Sequence, residues 1–181
     1  MTDKERKHAS KRLSLHLRHE PEGIGITLAS DGWVAVDTLL TALGQHGLPL
    51  TRADLDELVA SSDKKRFAFD ETGTRIRAQQ GHSVEVDLAL EPLTPPDVLF
   101  HGTSERAWLA IANEGLRKME RHHVHLSSDA DTARAVGGRH GKPVVLRVDA
   151  AEMARDGIVF YRSGNGVWLV DEVASRYLSR V

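Results

Sequence analysis

Four short segments carry residue types that could do chemistry. Leu17-Arg18-His19 falls where an apolar helical stripe ends. An arginine and a histidine there can hold a phosphate and move a proton, or can simply favour the negative end of a helix dipole. Asp63-Lys64-Lys65-Arg66-Phe67 puts three cations side by side. They repel one another unless an anion sits among them, and arginine grips phosphate with two parallel donors; the plainer alternative is a solvated turn. His101-Gly102-Thr103-Ser104 follows an apolar strand. Glycine lets a ligand approach the backbone, and His, Thr and Ser offer side-chain hydrogen bonds, unless the segment is only a polar turn. The fourth is Arg121-His122-His123-Val124-His125-Leu126-Ser127-Ser128; if residues 123–127 form a strand, His123 and His125 face one side and Val124 the other. Paired histidines suggest a metal, but no carboxylate stands within the motif to complete such a site and neighbouring cations oppose one, so no metal is expected.

The absences narrow the chemistry. The chain has no Walker A motif, no G-x-G-x-x-G, no G-x-S-x-G elbow, and no acidic pair for metal-assisted phosphoryl transfer. It has no cysteine, which removes disulfides, thiolate metal sites and a Cys nucleophile and permits a reducing, cytoplasmic setting. No apolar run is long enough for a membrane span, and the charged start Met1–Arg6 does not read as a secretory signal. The formal net charge is −2, yet residues 1–19 hold Lys4, Arg6, Lys7, Lys11, Arg12 and Arg18 against Asp3 and Glu5. A local basic face on a near-neutral protein suits one polyanionic ligand better than general DNA coating; a solvated helix face is the other reading.

The elements that must position these residues fall into two halves. Ala9, Leu13 and Leu17 make a helical stripe over residues 4–18, ended by Pro21 and Gly23. Val36, Leu39, Leu40 and Leu43 mark a second helix. Thr51 caps a third, with Asp54 in the capping-box position. Residues 66–69 and 74–78 alternate around a Glu71-Thr72-Gly73 turn, a hairpin. Three helices and a hairpin form a winged-helix pattern, which by itself does not fix function. Residues 91–97 hold Pro92, Pro95 and Pro96 and read as a linker. Beyond it, strands at 98–101, 124–126, 144–148, 158–161 and 167–170 alternate with helices at 106–113 and 129–136. The expected class is α+β, with lobes at residues 1–90 and 91–181.

Taken together, the motifs resemble the RNA 2′-phosphotransferases (tRNA 2′-phosphotransferases, KptA-type enzymes). The resemblance runs nearly end to end. It rests on Ser10-Lys11-Arg12-Leu13-Ser14-Leu15-His16-Leu17-Arg18-His19, Asp31-Gly32-Trp33-Val34, Asp63–Phe67, Ile76–Ser83, His101-Gly102-Thr103, Arg121–Ser127, Gly138–Val144 and Asn165-Gly166-Val167-Trp168-Leu169, in this order. It implies an N-terminal winged-helix RNA lobe and a C-terminal ADP-ribosyltransferase-like lobe that binds NAD⁺. The family's catalytic Arg-His-Arg-Arg tetrad falls on Arg18, His19, Arg66 and Arg121. The first three are expected to face Arg121 across one cleft. The NAD⁺ site falls on His101, Gly102 and Thr103, on His125 with Ser127 and Ser128, and on Asn165, Gly166 and Val167; His123 is the alternative to His125. Lys64, Lys65 and Arg66 are expected to hold RNA phosphate.

The reaction so implied has two steps. The RNA 2′-phosphate attacks C1″ of the nicotinamide ribose and expels nicotinamide, giving an RNA–2′-phospho–ADP-ribose adduct. The ribose O2″ then attacks phosphorus and expels the RNA 2′-oxygen, releasing ADP-ribose 1″,2″-cyclic phosphate. The place of the catalytic Glu of many ADP-ribosyltransferases reads Asn165-Gly166-Val167-Trp168. A phosphate acceptor is already an anionic nucleophile, so it needs arginines rather than a carboxylate. His19, the imidazole of the tetrad, is the natural general acid. The partners are then RNA with an internal 2′-phosphate and NAD⁺ as co-substrate, with no metal, no membrane and a monomeric state. Two other readings stay open: an ADP-ribosyltransferase acting on other phosphorylated RNA or DNA ends, and a non-enzymatic regulator joining a winged helix to a nucleotide sensor.

Overall fold

The computed structural model describes residues 1–62 and 65–181 and, for His140, the backbone alone. The expected phosphate contact Lys64 therefore lies outside the described residues. The chain divides into two compact units, Met1–Ala89 and Leu90–Val181. Both mix helices with small antiparallel sheets, an α+β architecture.

The first unit begins with α1 (Asp3–His16). Thr2 and Glu5 form a reciprocal capping box, so two otherwise orphaned N–H groups are satisfied at its start. Its stripe Ala9, Leu13 and Leu17 is fully buried, at about 1.5–3 kcal/mol for each leucine. The chain then passes a 3-10 turn, Pro21–Ile24, into β1 (Val34–Ala35), α2 (Val36–Gln45) and α3 (Arg52–Ala60). Thr51 and Asp54 cap α3 in the expected box. A hairpin follows, β2 (Phe67–Phe69) and β3 (Arg75–Ala78), in a sheet of order β1-β3-β2. Asp70 closes its turn: one carboxylate oxygen accepts from the N–H groups of Thr74 and Arg75, both at 3.0 Å. These bonds, with Arg75 first, hold its pKa down to about 2. Phe67, Ile76 and Ala78 point inward onto Leu13, Leu39 and Leu55 in one core.

The second unit holds β4 (Val98–Ser104), α4 (Glu105–Glu114), β5 (Leu116–Arg117), β6 (Val124–Leu126), α5 (Ala130–Gly137), β7 (Pro143–Asp149), α6 (Ala150–Arg155), β8 (Tyr161–Arg162), β9 (Trp168–Val170), β10 (Glu172–Val173) and β11 (Leu178–Arg180). Two three-stranded sheets, β11-β7-β4 and β6-β9-β8, meet where Phe100 and Ser127 exchange backbone bonds at 2.8 and 2.7 Å. Three expectations change here. His101–Ser104 does not follow the strand but completes it, paired with Pro143–Leu146. Residues 91–97 are not a free linker: Pro92 bridges Tyr161, and Leu93 N–H donates to the Phe160 carbonyl at 2.8 Å. Residues 158–160 are not strand, because Ile158 N–H closes the end of α6 on Met153. Among the described residues, no helix is long and apolar enough to cross a membrane.

Candidate active-site residues

In the first unit, α1 ends beside the last strand. Leu17 caps the helix and goes into the core, which leaves Arg18 and His19 on the turn that follows. The Arg18 carbonyl accepts from the N–H groups of Ser83 at 2.9 Å and Val84 at 3.2 Å. The segment leaving β3 is thereby tied to the end of α1. The Arg18 guanidinium lies 6.0 Å from the centre of the Phe67 ring. His19 Nδ1 meets Ser83 Oγ at 2.9 Å, which fixes the ring and turns Nε2 away from the serine. His82, buried beside Ser83, anchors this segment near Gly32.

Arg66 precedes β2. Its carbonyl accepts from Gln79 N–H at 3.0 Å, and its Nη1 lies 3.4 Å from Ser62 Oγ. Lys65 is exposed and has a φ of +38°, in the left-handed region that a bulky residue rarely enters. Gln79 Nε2 donates to its carbonyl at 2.8 Å, which helps hold that conformation. The structure thus gathers Arg18, His19 and the β2–β3 ladder that carries Arg66 at one end of the unit.

In the second unit the strands bring His101 to His125. His101 Nδ1 donates to the His125 carbonyl at 3.0 Å, so Nε2 is the acceptor atom in the neutral ring. The His125 ring faces another way: its Nδ1 accepts from Arg121 Nη1 at 3.3 Å. Val124 and Leu126 are buried on the opposite side, as alternation requires. His123 lies instead against Tyr161, ring centres 5.6 Å apart. Burial, then neighbouring His122 and Lys118 against Asp171, holds its pKa below the ordinary value.

Thr103 is buried in β4, and both backbone groups of Ser127 are spent on Phe100. Ser128 is exposed. Asn165, Gly166 and Val167 form the tip between β8 and β9. Buried Ser163 organises it: its Oγ donates to Asn165 Oδ1 at 2.6 Å and accepts from Val167 N–H at 3.1 Å. Gly166 has φ +85°, which a side chain would strain.

Gly102 has a packing purpose that its sequence context does not announce. A Cβ there would stand 1.6 Å from the Ala133 carbonyl oxygen of α5. The glycine lets a helix touch the strand. By alternation along β4, His101 and Thr103 face away from α5.

Burial is the main cause that pushes the His101 pKa below its ordinary value; Arg121 adds to it, and the His125 carbonyl opposes it. A histidine of this kind resists protonation in the fold, so the unfolded chain takes up the extra proton. The linked stability is intact above about pH 6.5 and falls as pH drops through that value toward the folded pKa. We expect His101→Gln to flatten the fall in denaturation midpoint between about pH 7 and 5. Midpoint curves for the two proteins that run parallel over this range would refute the assignment.

Among the described residues, no three His, Asp or Glu side chains gather as a metal site. Arginines beside histidines, on backbone-tied ends of strands and helices, are the equipment of an enzyme that handles anionic groups. The family model "RNA 2'-phosphotransferase, Tpt1 / KptA family" matches residues 4–172. A protein of Trichormus variabilis, named a probable RNA 2′-phosphotransferase, is 60% identical over 169 residues, 93% of each chain. One of Nostoc punctiforme with the same name is 56% identical over 181 residues, 100% of each chain. One of Streptomyces coelicolor, again so named, is 59% identical over 169 residues, covering 93% of this chain and 92% of that protein. The chain belongs to the RNA 2′-phosphotransferase family and is a transferase.

Sequence reasoning passed over Ser83 as the partner of His19, although Gly81-His82-Ser83 was a motif in plain view. A hydroxyl two residues after a turn glycine gave no sign that it would meet a ring 64 positions away.

Proposed function

We propose that the chain removes an internal 2′-phosphate from RNA with NAD⁺ as co-substrate, through an RNA–2′-phospho–ADP-ribose intermediate, releasing nicotinamide and ADP-ribose 1″,2″-cyclic phosphate. The observation that carries this reading is the oriented His19 beside Arg18, with Ser83 Oγ 2.9 Å from Nδ1. A ring so held presents Nε2 as the donor for a leaving 2′-oxygen. The names of the relatives support RNA 2′-phosphate as the substrate.

NAD⁺ supplies an electrophilic ribose carbon with nicotinamide as its leaving group. One feature of His101 supports such a molecule. Burial disfavours the charged form of His101, and its Nδ1–H is engaged, so its Nε2 can accept from a ribose hydroxyl or a carboxamide N–H. Gly102 supports the strand, while Thr103, His125, Ser127, Ser128 and the Asn165–Val167 tip complete the proposed nucleotide site. Arg66 and Arg121 would share the phosphoryl charge with Arg18, and Lys65 would hold RNA phosphate. The helix–strand–helix–helix–strand–strand order of the first unit supports a winged-helix RNA lobe. The paired three-stranded sheets of the second support an ADP-ribosyltransferase-like lobe. The enzyme would act as a cytoplasmic monomer.

The test is incubation with an RNA bearing one 2′-phosphate, with and without NAD⁺ and EDTA, and mass spectrometry of both product pools. Phosphate loss that requires NAD⁺, survives EDTA and yields the cyclic phosphate is expected. Turnover without NAD⁺, or activity restored only by a divalent metal, would overturn the reading.

A further inference from the structure

The outward face of the first unit's sheet carries a feature that the proposed reaction leaves unused. Val34, Phe67, Ile76 and Ala78 point into the core. Alternation therefore places Trp33, Arg66, Arg75 and Arg77 on the other side. Arg77 is opposite Ala68, and the Arg66 carbonyl accepts from Gln79 N–H, so Arg66 and Arg77 are diagonal neighbours across β2 and β3.

Arg77 is held ready. Its guanidinium carbon sits 4.6 Å from the centre of the Trp33 ring, and Nη1 donates to the Asp31 carbonyl at 3.1 Å. Neither partner carries a charge that would neutralise it. Among the described residues, no carboxylate lies within ion-pair distance of Arg77. Its neighbours differ: Arg75 also stacks on Trp33, at 5.4 Å, but pairs with Asp70 at 3.0 Å. Arg52 lies on Phe69 and pairs with Asp56 at 2.8 Å. An aromatic shelf that fixes an arginine while leaving its charge unspent lowers the entropy cost of binding an anion.

We infer that this face is a track for the RNA strand flanking the reactive phosphate, with Arg77 on its Trp33 shelf gripping one backbone phosphate. The inference rests on the reading of RNA as substrate. The spacing suits it, because neighbouring positions on a sheet face and successive phosphates of a single strand are both several ångströms apart. Contacts of this kind position a strand without reading its sequence.

The test uses the full chain without NAD⁺ and a fluorescent single-stranded RNA of about a dozen nucleotides with no 2′-phosphate. Binding is followed by anisotropy across a salt series, so the result does not depend on phosphate transfer. Arg77→Ala should weaken binding about fivefold and lower the slope of log Kd against log salt by about 0.7, one single-strand phosphate contact. Arg77→Lys, which keeps the charge, should retain the wild-type slope. Arg75→Ala, whose charge is already offset, should change the slope less. An unchanged slope in Arg77→Ala, or equal losses in Arg77→Ala, Arg75→Ala and Arg52→Ala, would overturn the track. If Arg77→Ala weakens RNA binding while the wild type transfers no 2′-phosphate, the track stands and the proposed reaction falls.

Discussion

Gly102→Ala is expected to unfold the second unit under conditions where the wild-type chain is folded. The new methyl group would stand 1.6 Å from the Ala133 carbonyl oxygen, 2.5 Å from its carbon and 2.8 Å from the Gly137 nitrogen. All three are backbone atoms, so no side chain can swing aside. The contact is reciprocal, since a Cβ on Gly137 would meet the Thr103 carbonyl oxygen at 2.5 Å. Relief requires α5 to lift from β4, against packing that includes Ala133, which is fully buried. Overpacking of a core typically costs about 1–3 kcal/mol, and a clash with fixed backbone belongs at or beyond the top of that range. For a unit of this size that corresponds to a fall of roughly 15–25 °C in melting temperature. Gly138→Ala is the control: its Cβ would have nothing within 4 Å, and its φ of −62° suits any residue. It should change stability by no more than about 0.5 kcal/mol. Thermal melts of the three proteins check this. A Gly102→Ala protein that melts like the wild type but binds NAD⁺ poorly would show that the glycine makes room for a ligand after all.

The same glycine shows where sequence reasoning stops. Glycine at position 102 announces a close approach, but nothing local tells whether a helix or a ligand arrives. That depends on α5, 28 or more positions downstream. Local signals succeeded where the physics is local. The Thr51–Asp54 capping box marks the start of α3, the Val36–Leu43 spacing marks α2, and the Val124–Leu126 alternation marks β6. One local signal was there to be read and was missed: Asp149, three positions before Glu152, caps α6, whose six residues are too short for a clear period. The two-residue strands β1, β5, β8 and β10 exist only through pairing with distant partners. In the candidate site, residue types were legible and contacts were not. Arg18, His19 and His101 stand out by type and spacing. The hydroxyl on His19, the carbonyl on His101 and the Trp33 shelf under Arg77 come from long-range pairing alone.

Arg66→Ala and Arg121→Ala should slow the second chemical step of the proposed reaction more than the first. In the first step charge moves at carbon: the ribose centre becomes oxocarbenium-like as nicotinamide leaves and an existing phosphate anion approaches. In the second it moves at phosphorus, through a crowded transition state from which the RNA 2′-oxygen departs and takes up a proton. Donors to the phosphoryl oxygens and a proton source at the 2′-oxygen therefore matter most in the second step. Losing one such contact costs on the order of 3 kcal/mol, roughly a hundredfold in rate. Arg66 Nη1 lies 3.4 Å from Ser62 Oγ, and Arg121 Nη1 meets His125 Nδ1 at 3.3 Å. Both variants should accumulate the RNA–2′-phospho–ADP-ribose adduct, visible as a slower band on a denaturing gel. His19→Ala should also be impaired, with its larger loss at departure of the 2′-oxygen. His101→Ala should behave in the opposite way. It removes the acceptor Nε2 proposed for the nicotinamide ribose, so it should weaken NAD⁺ binding and slow the first step, with little adduct. Rapid-quench time courses of substrate, adduct and product separate the two patterns. If the arginine variants stall with unreacted 2′-phosphorylated RNA and form no adduct, these residues serve substrate binding or the first step, and the division of labour is wrong.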